Sequence, residues 1–335
     1  MSAPGRTDLE VVFRPQAEAR STAPGIFSVA IPPLTDSIRE PLFTGLVPLS
    51  PAAEGLHLYR DISGDLLVGH THMPFVAAQL PGHTRRLYAR ILAACAGRHL
   101  YRMWNYLPEI NVETAGLEHY RAFCQGRSLA FEDAFGAGFD RQVPAASVVG
   151  NEGDTVDVIF VAGRVVPMHV ENPEQVPAYR YPPDYGPRPP SFARATVVDA
   201  DAYRWVFVSG TAAIKGHASV ARGDLAGQIA STLDNLRLIA HASGADDGLR
   251  GGERWSRRFK IYLRHAEDFP VAARLLRGSL LHAADTVVWL RSDLCRSELR
   301  IEIEATLART TRGEAIHRRG RRWFAEKPRV RPDSA

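Results

Sequence analysis

The sequence is poor in cysteine: three in 335 residues, with no Cys-x-x-Cys pair. That excludes a disulfide framework and a thiolate metal site. No apolar run approaches the roughly 20 residues that span a bilayer. The longest, at 66–69, 156–163 and 205–209, have strand length. The opening Met-Ser-Ala-Pro-Gly-Arg-Thr-Asp lacks the apolar core of a signal peptide, so a cytoplasmic setting is expected. No Gly-x-Gly-x-x-Gly or phosphate loop follows a strand pattern, and neither a Gly-x-Ser-x-Gly elbow nor a Ser/His/Asp set emerges. No cofactor is therefore expected. The net charge of +4 is local, since residues 312–335 carry eight Lys/Arg against three Asp/Glu and leave the remainder near neutral. A basic tail without a basic face does not make a nucleic-acid partner.

What is present is an internal repeat. A Pro/Tyr-rich stretch, 176–190, holds too many prolines for a helix or a central strand and reads as an ordered linker. After it, strands are expected at 195–198 and 205–209, then a helix at 224–242. In that helix Ile229, Leu233, Leu236 and Ala240 form one apolar stripe. A strand at 259–264, a helix at 270–280 and strands at 286–290 and 299–307 follow. Before the linker the same order recurs: strand 66–69, helix 85–96, strand 100–106, helix 117–135, strands 146–149 and 155–162. Two copies of one α+β unit are thus expected, an N-terminal domain 1–175 and a C-terminal domain 191–311, followed by the tail 312–335.

Strict alternation in Leu299-Arg-Ile-Glu-Ile-Glu-Ala-Thr-Leu307 places Glu302 and Glu304 on one face of a strand. The plain reading is a half-buried strand with a solvated charged face. The functional one puts a glutamate in a cleft between units, where desolvation raises its pKa and makes it a general acid. Arg102, Arg121 and Arg127, and Arg264 at the mirrored strand end, are either solvated or a clamp for carboxylates, which the planar guanidinium suits. Cys295 sits in an expected turn just ahead of the glutamate strand. Cys95 and Cys124 fall within helical patterns and read as structural. His70 and His72, two apart on a strand, could touch one metal ion, but no third ligand stands at a recognisable spacing, so no metal site is expected.

Residues 190–310 resemble the RidA/YjgF family through Val208-Ser-Gly210, Gly223-Asp-Leu-Ala-Gly-Gln228, Thr232-Leu-Asp-Asn-Leu236 and Ile301-Glu-Ile-Glu-Ala305. Imine-hydrolysing members carry an arginine on the penultimate strand, and Asp285-Thr-Val-Val-Trp-Leu290 has none. Over residues 60–310 the chain more closely resembles the chorismatases. The resemblance is carried by Leu100-Tyr-Arg-Met-Trp-Asn-Tyr106, Tyr120-Arg-Ala-Phe-Cys-Gln-Gly-Arg127, Pro190-Ser-Phe-Ala-Arg-Ala195, Ser209-Gly-Thr-Ala-Ala213, Cys295 and Ile301-Glu-Ile-Glu304.

That resemblance implies an α+β chain of two RidA/YjgF-like units in a pseudo-threefold arrangement, with a cleft between units. It implies a monomeric enzyme that acts on chorismate and releases pyruvate, with no nucleic-acid or membrane partner. Glu302 matches the family's acid. Tyr120, Arg121, Arg127, Arg194, Gly210 and Arg264 are the substrate-binding residues expected. Members with glycine and cysteine at the positions of Gly210 and Cys295 make 3-hydroxybenzoate, some also 4-hydroxybenzoate. Members that release a trans-dihydrodiol by hydrolysis tend to have alanine and no cysteine. The expected product is therefore 3-hydroxybenzoate, with Cys295 assisting proton movement. The alternatives are the dihydrodiol, or a RidA-like imine hydrolase or binding protein.

Overall fold

A computed structural model describes residues 5–16, 23–49 and 55–310 of the chain; the basic tail lies outside them. The chain opens with β1 (Thr7–Arg14), β2 (Ile26–Ala30) and β3 (Arg39–Pro48). A first unit follows: β4 (Leu56–Arg60), β5 (Leu66–Pro74), α1 (Leu80–Ala94) and β6 (His99–Pro108). A two-residue-strand hairpin, β7 (Glu113–Thr114) and β8 (Leu117–Glu118), leads into α2 (His119–Phe135), β9 (Ala145–Asn151) and β10 (Thr155–Gly163). After β11 (Met168–Val170) comes the second unit: β12 (Ala195–Ala200), β13 (Tyr203–Thr211), a hairpin of β14 (Ile214–Lys215) and β15 (Ala218–Ser219), and α3 (Leu225–Ala242). It ends with the short α4 (Asp246–Leu249), β16 (Ser256–Leu263), α5 (Phe269–Arg277), β17 (Thr286–Arg291) and β18 (Ile301–Thr310).

The repeat extends to strand order. The first unit pairs its strands β4-β5-β10-β6-β9 and the second β12-β13-β18-β16-β17, so corresponding elements occupy corresponding places. In each unit only the last pair is parallel, β6 with β9 and β16 with β17. Ahead of β4, in the part of the expected N-terminal domain for which the sequence suggested no elements, β1–β3 add to the free edge of β4, giving an eight-stranded sheet in the order β2-β1-β3-β4-β5-β10-β6-β9.

Local chemistry explains the elements. The stripe of α3 is buried as the spacing predicts, and the helix stops at Gly244, whose φ of +60° suits a residue without Cβ. α1 begins five residues before the expected Arg85 because Pro81 sits in the first turn, where its missing N–H breaks no helical bond. Helices cover one face of each sheet: α1 and α2 pack on Met103, Val158 and Phe160, and α3 and α5 on Ile261, Ile303 and Ala305.

The other faces turn toward each other. Phe13 and Phe43 from the opening strands, Trp104 and Ile159 from the first unit, and Trp205, Phe207 and Tyr262 from the second share one core. The edges at β9 and β17 are closed as well. The backbone amides of Ala145 and Ala146 in β9 donate to Thr196 Oγ1 and Ser209 Oγ of the second unit, each at 2.8 Å. Beside β17, Leu34 donates to Trp289 O and Arg291 to Pro32 O, both at 2.9 Å. Edges satisfied in this way offer no template for stray pairing. No helix among the described residues is long and apolar enough to cross a membrane.

Candidate active site

β18 is the central strand of the second sheet, and both of its faces are covered. Glu302 and Glu304 are each 3% exposed. The solvated charged face that alternation alone suggests is therefore absent, because the first unit lies over it. Two carboxyl groups on one buried face need different solutions.

Glu304 is paired. It accepts from Lys260 Nζ at 2.7 Å, from Arg102 Nη2 at 2.5 Å and from Ser147 Oγ. Lys260 also reaches Glu40 Oε2 at 2.7 Å, and Arg102 donates to Ser147 Oγ at 2.8 Å. Two cations and two anions thus sit in a dry cluster drawn from β3, β6, β9, β16 and β18. Burial opposes the charge on Glu304, but Lys260 and Arg102 outweigh it and its pKa lies below the ordinary value. The same balance raises Lys260. Arg102, one of the arginines considered for a substrate clamp, is instead committed to this cluster.

Glu302 has no such cation. Burial, reinforced by the charge of Glu304 and only partly countered by Arg102, raises its pKa from 4.5 to about 8. One strand face thus carries an ionised carboxylate and a carboxylic acid that keeps its proton at neutral pH, the divergence that marks acid–base sites.

The protonated carboxyl faces a cavity of about 350 Å³. Tyr120 and Arg121 reach it from the start of α2, Arg194 from the approach to β12, Gly210 from β13, and Cys295 and Arg296 from the turn before β18. Gly210 lies where the register between β13 and β18 shifts, between Val208 and Thr211. A Cβ there would meet Glu302 Oε1 at 1.9 Å and Ser147 Cβ at 3.1 Å. Glycine is required because the acid side chain lies directly against the backbone. Cys295 Sγ is 4.0 Å from Glu302 Oε2. Burial and the neighbouring Glu302 push the thiol pKa up, so it is an S–H donor and not a thiolate. The Tyr120 hydroxyl is likewise held protonated, chiefly by burial.

Arginines from both units rim the cavity. Arg194, 4% exposed, donates to Tyr181 OH at 2.8 Å and lies 5.1 Å from the Phe192 ring. Arg121 pairs with Glu118 at 3.2 Å. Arg296 stacks over Tyr185 at 4.4 Å and Tyr181 at 5.5 Å. Tyr181 and Tyr185 belong to the Pro/Tyr-rich stretch, so this segment is a wall of the cavity as well as a connection. Arg296, Tyr181 and Tyr185 were not among the residues singled out in the sequence. Their signals were the adjacency of Arg296 to Cys295 and the concentration of tyrosine in a proline-rich segment.

Two expected site residues do not line this cavity. Arg127 is buried in α2, its guanidinium 5.4 Å from the Tyr88 ring and 5.7 Å from that of Phe131. It follows Tyr120 by two helical turns, which carries it away from the cavity. Arg264 pairs with Asp293 at 2.7 Å and donates to the carbonyls of Leu299 at 2.8 Å and Arg296 at 3.0 Å. It braces the turn that presents Cys295 and Arg296. A larger depression, about 470 Å³, lies beside α3 and α4, but its charged groups Arg237, Arg250 and His282 are exposed and no acid is buried there.

Comparison with known proteins bears on this arrangement. A family model described as chorismatase FkbO/Hyg5-like, N-terminal, matches residues 52–162. A 3-hydroxybenzoate synthase of Streptomyces hygroscopicus is 41% identical over 221 residues, 62% of this chain and 63% of that protein. A chorismatase of Streptomyces rapamycinicus is 40% identical over 218 residues, 62% of this chain and 64% of that protein. The match therefore spans somewhat less than two thirds of these curated relatives. A crystal structure of a chorismatase superposes with a TM-score of 0.78 at 30% identity, covering 90% of this chain and 93% of the other.

Proposed function

Because the chain belongs to the chorismatase family, we propose that it converts chorismate to 3-hydroxybenzoate and pyruvate, with Glu302 as the acid that starts the reaction. The observation that carries this reading is a carboxyl group protonated up to about pH 8 that faces a cavity rimmed by arginines. Chorismate carries two carboxylates, and charge-assisted hydrogen bonds contribute roughly 1.5–3 kcal/mol each. We assign Arg121, Arg194 and Arg296, which line the cavity, to these carboxylates, and Tyr120, Tyr181 and Tyr185 to the ring. Its enol ether is stable until the methylene carbon is protonated. Glu302 gives its proton to that carbon, leaving an oxocarbenium ion. The ring carbon–oxygen bond then breaks, and its electron pair leaves with pyruvate.

In the 3-hydroxybenzoate route the neighbouring ring hydroxyl oxygen closes on the vacated carbon, and its proton returns to the Glu302 carboxylate. Reopening of this epoxide-like ring and loss of a ring proton give the aromatic acid, with no net consumption of water. Gly210 and Cys295 favour that route over the hydrolytic one. The Cys295 S–H, close to Glu302 Oε2, is placed to donate to the carboxylate once it has lost its proton. The cavity is lined by residues of both units of the chain, and a monomer is expected, as the resemblance to the chorismatases implies.

Incubation of the purified protein with chorismate, with product separation and a pyruvate assay, tests the reading. Pyruvate and 3-hydroxybenzoate in equal amounts are expected, and Glu302→Gln should lose about 10²–10⁴-fold in rate. A non-aromatic diol would overturn the product assignment. Untouched chorismate would overturn the activity.

A further inference from the structure

His70 and His72 share a face of β5, and the sheet supplies the third ligand that their spacing in sequence did not. β5 pairs antiparallel with β10 so that Asp157 stands directly opposite His72. Asp157 Oδ1 lies 3.4 Å from His70 Nε2, and one donor atom from each of His70, His72 and Asp157 falls within 4.8 Å of the others. Tetrahedral donors about 2.0–2.1 Å from an ion stand roughly 3.3 Å apart. The His70–Asp157 edge therefore already has the separation that coordination requires. Rotation of the half-buried His72 side chain, closing at most about 1.5 Å, brings in the third donor.

The surroundings are those of a ligand set. Thr155 Oγ1 donates to Asp157 Oδ2 at 2.8 Å, which fixes the carboxylate with its other oxygen toward His70. Phe27 of β2 stacks on the His70 ring at 4.8 Å and holds its orientation. Asp157 is 1% and His70 7% exposed, and His70 Nε2 is buried without a hydrogen bond. None of the three lines the cavity below Glu302.

We propose that His70, His72 and Asp157 form a binding site for a divalent transition-metal ion of the zinc class. Two imidazoles and one carboxylate are a borderline donor set that selects Zn²⁺, Co²⁺ or Ni²⁺ over Mg²⁺ and Ca²⁺. The bound ion pins β5 to β10 and leaves a fourth position for water or for a fourth donor. The nearest further imidazole is that of His57, opposite His70 on β4 and stacked 6.2 Å from it.

The test uses the full chain, stripped with a chelator and titrated with ZnCl₂ by calorimetry, and with CoCl₂ by visible absorption. About one equivalent of Zn²⁺ is expected per chain, with cobalt ligand-field bands and a rise in melting temperature. Since even partners outside the coordination shell are worth 10–100-fold, His72→Asn should weaken Zn²⁺ binding at least about tenfold and abolish the thermal shift. Asp157→Asn should do the same. His72 is half-buried, so its variant remains informative if the Asp157 variant does not fold. Glu302→Gln should bind Zn²⁺ as the parent does. Equal Zn²⁺ affinity in the parent and in His72→Asn, or no binding by the parent, would overturn the proposal.

Discussion

Glu304→Gln tests whether the proton on Glu302 is set by its neighbour. In the parent, a pKa of about 8 leaves Glu302 about nine-tenths protonated at pH 7, so a reaction that needs this acid should fall off only as pH rises through about 8. Neutralising Glu304 removes a like charge and leaves Arg102 facing Glu302 with less compensation. Neighbouring charges of this kind move a carboxyl by about one to three pH units. With a midpoint lowered to about 6, only about one-tenth of Glu302 would be protonated at pH 7. The rate of pyruvate release should then drop about tenfold at pH 7 and recover toward pH 5. Arg102→Gln should move the midpoint the other way, since Arg102 now lowers the Glu302 pKa. The assay is kcat/KM for chorismate from pH 5 to 9, with circular dichroism to confirm folding. Breaking a buried pair costs about 3–5 kcal/mol, so both variants are best compared in the cold. Damage to packing alone would lower the rate uniformly. Profiles that keep the parental midpoint in both variants would refute the reasoning.

The raised pKa of Glu302 also makes folding stability depend on pH. The folded state holds a proton that the unfolded chain releases above about 4.5, so the stabilisation is full below that pH and is lost as pH rises through about 8. The corresponding energy is on the order of 4 kcal/mol, and Glu302→Gln should flatten the slope of urea stability between pH 5 and 8; an unchanged slope would contradict the assignment. In Gly210→Ala the new methyl would stand 1.9 Å from Glu302 Oε1, forcing the acid back by more than an ångström. A displacement of that size costs up to about 10²-fold in rate, and the product should shift toward the non-aromatic diol; chromatography of the products decides. Cys295→Val removes the S–H near Glu302 and should lower the yield of 3-hydroxybenzoate, whereas parental rate and product would deny Cys295 a role.

Much of this was legible from residue patterns. The order of strands and helices in both units follows from apolar periodicity and from Gly and Pro stops, because those signals are local. The glutamate strand and the Cys295 turn were visible for the same reason. The strand order and the role of β1–β3 were not. Their pairing partners are far along the chain, and pairing leaves no mark within a strand.

By itself, then, the sequence determined a two-unit α+β chain with two glutamates on one strand face, of which the family resemblance pointed to Glu302 as the acid. Only the tertiary structure decided which glutamate keeps its proton. Glu302 and Glu304 have the same residue type, strand face and burial. They differ because Lys260 of β16, Arg102 of β6 and Ser147 of β9 converge on one and not on the other. It likewise decided that Arg264 braces a turn and that Gly210 makes room for the acid itself. Spacing also could not show that Asp157 meets His70 and His72 across the sheet. Charge and steric contact act through space, and the partners that set them lie tens to hundreds of residues apart in the chain.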